Sequence, residues 1–280
     1  MKRAISLELY RLRKNKYPWI IIIISSIMII GSVFMTTADF NYYINNKGAL
    51  EELKQTFEQV NWGIYIGSVI PKWCDIGYIP ITELFMRNIQ SKILLMFQTI
   101  FVILYIGEEI KTSFLKNLAS AFPKKIELIF GKLVTIAIFC FMIFLINFLV
   151  MSLSFYIMEG YLRFDNIGLF IKYILTEYLL YLSFSVIIML LAYLIRNSAV
   201  TLLVGLLESA GILQIVDSIV HNISNGSSFS IMNYLVSGNI VLLSIESSDD
   251  LYIRSLIIAL IYLFVSIFAS FIIFNKKDIY

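Results

Sequence analysis

Between Ile129 and Met158 the chain runs almost without interruption through apolar residues, broken by one charge, Lys132. A helix needs about 20 such residues to cross the roughly 30 Å hydrocarbon core of a bilayer. Similar runs recur at Tyr17–Thr37, Leu169–Ile195 and Leu251–Phe274. A soluble domain of 280 residues could bury one good core, but it could not hide several runs of this length. The composition agrees, with 59% hydrophobic residues, 15% charged and a mean hydropathy of +0.84. The fold class expected is therefore all-α, a polytopic membrane protein with a single membrane domain over residues 1–280.

Six spans are expected: about 17–37, 92–107 with a start near Thr82, 129–158, 169–195, 199–217 and 251–274. Arg87 and Lys92, at the head of the second, are expected to snorkel outward. Residues 39–82 form a long outer segment. Leu50, Leu53, Phe57 and Val60 repeat there at helical spacing, and Trp62, Tyr65, Trp73 and Tyr78 suit an interfacial aromatic belt. Residues 217–250 are too short and too polar for a clean span and are read as a re-entrant or interfacial element between spans five and six. The basic start is read as a retained cytoplasmic helix, with no cleavable signal.

Charge placement orients this layout. Of the 22 Lys and Arg, six precede the first span, five lie between Glu108 and Lys132, one is Arg196 and two close the chain. The remaining eight are spread over much longer outer sequence, so the positive-inside rule puts both termini in the cytoplasm, and the isoleucine- and lysine-rich composition suggests a bacterial cell membrane.

Catalytic patterns are missing. There is no HExxH, no GxSxG, and Gly131-Lys132 lacks the rest of a Walker A. Cys74 and Cys140 lie in unlike segments, and a single His221 cannot build a metal site. The chain is not expected to be an enzyme, to hold a metal or to bind nucleic acid. Intramembrane carboxylates carry the functional question instead, because each costs roughly 3 kcal/mol at mid-bilayer on insertion scales. Glu208, Glu177 and Asp217 are the candidates, as lining of a path or as polar contacts at an interface. Asn147, Gln98 and Gln214 read as interhelical polar contacts. Residues 1–16 place Ile5, Leu9 and Leu12 on one face, with Lys2, Arg3, Arg11, Arg13, Lys14 and Lys16 around it. Such a helix suits the anionic surface of membrane lipids.

The loop from Glu108 to Lys125 interrupts two apolar runs with an amphipathic stretch. Ile110, Phe114, Leu115 and Leu118 share one helical face, with Lys111, Lys116 and Asn117 outside it. With Glu108-Glu109, Lys116-Asn117-Leu118, Lys124-Lys125 and Gly131-Lys132 at their present spacing, the chain resembles the six-span permease subunits of ABC-2-type ATP-binding-cassette transporters. Ser113-Phe114 stands where those proteins usually have Gly-Thr, and Lys124 where they usually have Arg.

The resemblance implies an elbow helix at residues 1–16 and a coupling helix within 108–125. Glu108, Glu109, Ile110, Lys111, Phe114, Leu115, Lys116, Asn117 and Leu118 would contact a separate ATPase subunit. It implies no cofactor on this chain, with ATP and Mg held by that partner, and a second permease copy or related permease beside it. The compact size is similar to permeases that export peptide antibiotics, modulins or lipophilic drugs, so the expected cargo is an amphipathic peptide or drug. The alternative is a non-ABC secondary transporter or a membrane sensor partner that uses Glu208 and Glu177.

Overall fold

The computed structural model describes residues 1–56, 64, 66–111, 125–223 and 230–276. Every regular element among them is helical: α1 (Lys2–Lys14), α2 (Tyr17–Asn45), α3 (Lys47–Thr56), α4 (Pro71–Ile76), α5 (Ile81–Gln90), α6 (Ile93–Lys111), α7 (Lys125–Glu159), α8 (Ile167–Ile195), α9 (Ser198–Ser209), α10 (Ile212–Ile223), a 3-10 turn (Ile231–Tyr234), α11 (Val236–Leu242) and α12 (Asp249–Lys276).

Four helices are long and apolar enough to cross a membrane: Tyr17–Asn45, Ile126–Glu159, Ile167–Ile195 and Asp249–Ile273. Two further pairs pass the same test only when taken together, α5 with α6 and α9 with α10. Each pair is bent by 52° at a short break. Local chemistry explains the ends. Asn197 caps α9, its Oδ1 accepting from the amides of Ala199 and Val200. Pro18 opens α2, where its missing N–H costs nothing. The break after α5 falls at Lys92, whose φ is +63°, and the break after α9 at Gly211, whose φ is +84°.

The exterior is apolar and the interior is where the polar groups meet, the reverse of a water-soluble bundle. Ile20, Ile23, Ile27, Phe34, Phe264 and Phe268 are exposed. Inside, the Asn147 carboxamide donates to Ser25 Oγ at 3.1 Å and Gln98 donates to Ser185 Oγ at 3.0 Å. Hydrocarbon is the solvent for which this distribution is favourable, because it makes an unpaired interior polar group costly and an apolar exterior free. The roles expected for Asn147 and Gln98 are thus realised. Cys74 and Cys140 are free thiols.

Two expectations are corrected. Arg87 and Lys92 do not snorkel outward: they are 6% and 1% exposed. Arg87 donates to Gln90 and Ser68, and Lys92 donates to Gln214. Both side chains lie inside the bundle, where polar groups of other elements meet them. Trp73 is no belt residue either. It is fully buried, and its indole N–H donates to Glu83 at 2.6 Å. Of the expected outer helix, Leu50 and Leu53 lie on α3, while Phe57, Val60, Trp62 and Tyr65 lie outside the described residues.

Candidate functional site

The most densely charged buried site forms where α1 packs on α7 beside the end of α6. Along α1, Ala4, Glu8 and Leu12 recur one turn apart and are the buried residues of that helix. Of the face of Ile5, Leu9 and Leu12, Ile5 and Leu9 are half-buried and Leu12 is buried, and the stripe that packs carries an acid in its middle. Gly131 makes the approach possible. A Cβ there would stand 3.1 Å from Glu8 Cγ and 3.2 Å from the Ala4 carbonyl.

Glu8 meets three groups in this crevice. Lys132 Nζ donates to its Oε1 at 3.0 Å, Arg11 Nη1 to its Oε2 at 2.9 Å, and the Tyr105 hydroxyl to Oε2. Glu109, at the end of α6, accepts from both Arg11 and Lys132. The four charges sum to zero, with Glu8, Glu109 and Lys132 fully buried. Arg11 stacks over the Tyr105 ring at 5.1 Å. Glu108 extends the cluster outward, accepting from Asn15 at 3.0 Å and lying 3.8 Å from Arg11. Burial pushes the Glu8 carboxyl up, but Lys132, Arg11 and the Tyr105 hydroxyl outweigh it and hold the group below its ordinary value. For Arg11 burial acts downward, and Glu109 and Glu8 overcome it, so the guanidinium is held more firmly protonated than usual.

Glu109 and Lys132 bracket residues 112–124. Of the residues expected to contact an ATPase, Glu108 and Glu109 are placed in this cluster, and Ile110 and Lys111 complete α6. Phe114, Leu115, Lys116, Asn117 and Leu118 lie outside the described residues. Glu8, Arg11, Tyr105 and Lys132 were not singled out from the sequence as members of one site. The signal was present, in an acid at helical spacing between Ala4 and Leu12 and a Gly-Lys pair at the head of an apolar run.

The other candidates fall in separate places. Glu208 accepts from Ser237 Oγ at 3.0 Å and lies within electrostatic reach of Lys92. Asp217 accepts from Ser230 Oγ at 2.8 Å and from the Ile231 amide. Glu177 is fully buried on α8, and neither of its oxygens meets a donor in hydrogen-bonding geometry. The Tyr173 hydroxyl stands beside it. Among the described residues no cluster of His, Cys, Asp and Glu could hold a metal ion.

An apolar cavity of about 560 Å³ opens between α7 and α8. Phe85, Phe141, Phe144, Phe148, Phe170 and Tyr178 line much of it. The chain matches no protein-family model and no curated protein.

Proposed function

We propose that this chain is the membrane subunit of an ATP-driven exporter, a six-span permease with both termini in the cytoplasm. The bent pairs α5–α6 and α9–α10 supply the second and fifth spans. The observation that carries the reading is the pair Glu109–Lys132, which closes the base of residues 112–124 while Glu8 and Arg11 grip it from α1. A push on that segment would be delivered to α1, α6 and α7 together, since all three meet in one ion cluster. This is what a chain without a Walker A needs if a separate ATPase, holding ATP and Mg, drives it. A second permease copy or a related one would complete the path. The cargo is an amphipathic peptide or lipophilic drug, and the apolar cavity between α7 and α8 has room for a lipophilic molecule of drug size.

The test is transport from cells expressing the chain with its ATPase partner. Phe114→Asp combined with Leu118→Asp is expected to abolish ATP-driven export while leaving insertion and folding intact. Full export by that variant would sink the coupling role.

A proton-coupled carrier is the second reading, and Glu177 favours it, as a fully buried carboxyl on α8 beside the Tyr173 hydroxyl. Under that reading Glu177→Gln abolishes transport, and disabling a co-expressed ATPase changes nothing.

A further inference from the structure

The helix α10 is amphipathic in the sense opposite to a helix in water. Gln214 and Asp217 turn inward, at 1% and 8% exposed, whereas Ile212, Leu213, Ile215, Val216 and Ile219 are exposed. Its packing partners are chiefly the end of α9 and the 3-10 turn, and its inward contacts are polar. Gln214 Oε1 accepts from Lys92 Nζ, and Gln214 Nε2 donates to the Ser237 carbonyl at 3.2 Å. Asp217 holds Ser230 Oγ and the Ile231 amide.

Below α10 the construction changes. The helix α9 lies against α6 through close glycine contacts. A Cβ at Gly205 would stand 2.9 Å from Thr99 Cγ2 and 3.0 Å from Ile103 Cδ1, and one at Gly107 would stand 2.5 Å from Ser198 Oγ. Between the tightly packed α9 and the polar-tethered α10 sits Gly211, at φ +84° and the 52° bend. Only a residue without Cβ tolerates that φ freely. A few hydrogen bonds confer less local stability than a packed seam, and hinges absorb their motion at such breaks.

We propose that α10 is a hinged arm that pivots at Gly211 and is latched to the bundle by Gln214 and Asp217. Its apolar face moves through lipid at little cost, so the latch sets its position. Lys92 sits at the break of the other bent pair, with φ +63°. The latch therefore joins the two breaks, and a change of bend at α5–α6 would draw Lys92 from Gln214 and loosen the arm, leaving Ser237 and the Asp217 contacts to hold it. Glu208 lies within electrostatic reach of Lys92 at this break.

Hydrogen–deuterium exchange on the full chain in lipid nanodiscs tests this. Gln214→Leu is expected to speed exchange across 212–219 about tenfold while 198–209 stays unchanged. Asp217→Asn, which keeps one acceptor oxygen, is expected to give a smaller acceleration confined to the same residues. Lys92→Arg keeps a donor and is expected to leave α10 at its native rate. Unchanged protection of 212–219 in both Gln214→Leu and Asp217→Asn overturns the proposal. Acceleration spread equally over α6 and α9 also overturns it, because Gln214 would then be a brace of the whole bundle.

Discussion

Glu109 at the end of α6 and Lys132 near the start of α7 form a buried ion pair, so two helices separated by residues 112–124 are joined at the base of that segment. Lys132 also serves Glu8, and without it two buried carboxylates would share the single positive charge of Arg11. Breaking a buried pair by removing one partner costs about 3–5 kcal/mol, because a charge is left uncompensated. Lys132→Met is therefore expected to lower the thermal midpoint in detergent strongly. The double variant Lys132→Met, Glu109→Gln, which leaves Glu8 paired with Arg11, is expected to recover much of the loss.

The Glu8 carboxyl is held below its ordinary value of 4.5, with burial opposing and Lys132 and Arg11 prevailing. A depressed acid contributes stability that is fully present above the unfolded value and is lost as pH falls through the folded one. Docking of α1 should thus be constant at neutral pH and weaken on the acid side of 4.5. An environment-sensitive fluorophore on Ser6→Cys, an exposed site of α1, is expected to report that acid transition. Glu8→Gln should abolish the Glu8-linked part of it.

Gly131 gives a purely steric test of the same contact. An added methyl would press on Glu8 Cγ and on the Ala4 backbone, and the backbone cannot step aside as a side-chain tip could. Gly131→Ala is expected to destabilise by about 1–3 kcal/mol, the range for overpacking. Gly31, within α2, has nothing within 4 Å of its would-be Cβ. Gly31→Ala is expected to raise the thermal midpoint, as helix propensity favours Ala by up to about 1 kcal/mol.

The long spans were legible because hydropathy is a local property: each run in α2, α7, α8 and α12 announces itself by its own residues. That Asn147 and Gln98 meet polar groups on neighbouring helices was legible for a related reason, since a polar group facing a bundle must meet another. The ion cluster depends on which helices become neighbours, and Glu8 and Lys132 are far apart in the chain. Lys92 and Arg87 were misjudged because snorkelling assumes a straight helix. A positive φ at Lys92, which carries a Cβ, is not signalled by residue type, and it marks the break at which the two helices bend by 52°. Trp73 was misjudged because its type suggests a lipid interface, whereas Glu83 offers a carboxylate that lets the indole be buried.

Asn147 provides the contrast that calibrates the cluster. Its carboxamide donates to Ser25 Oγ and to the Ile143 carbonyl, and its Oδ1 meets no donor. Interhelical hydrogen bonds within membranes average about 0.6 kcal/mol and reach about 1.7, since the membrane-inserted unfolded chain also finds partners. Asn147→Leu removes the pair and the unmet acceptor together, so its cost is expected to fall within that small range. A double-mutant cycle of Asn147→Leu with Ser25→Ala, read from unfolding midpoints in one detergent, measures the pair itself. A coupling as large as that between Lys132 and Glu109 would show that neutral contacts between α2 and α7 hold the bundle as firmly as its charges do. The expected result is a coupling several times smaller, which would leave the ion cluster as the stronger bond between α1, α6 and α7.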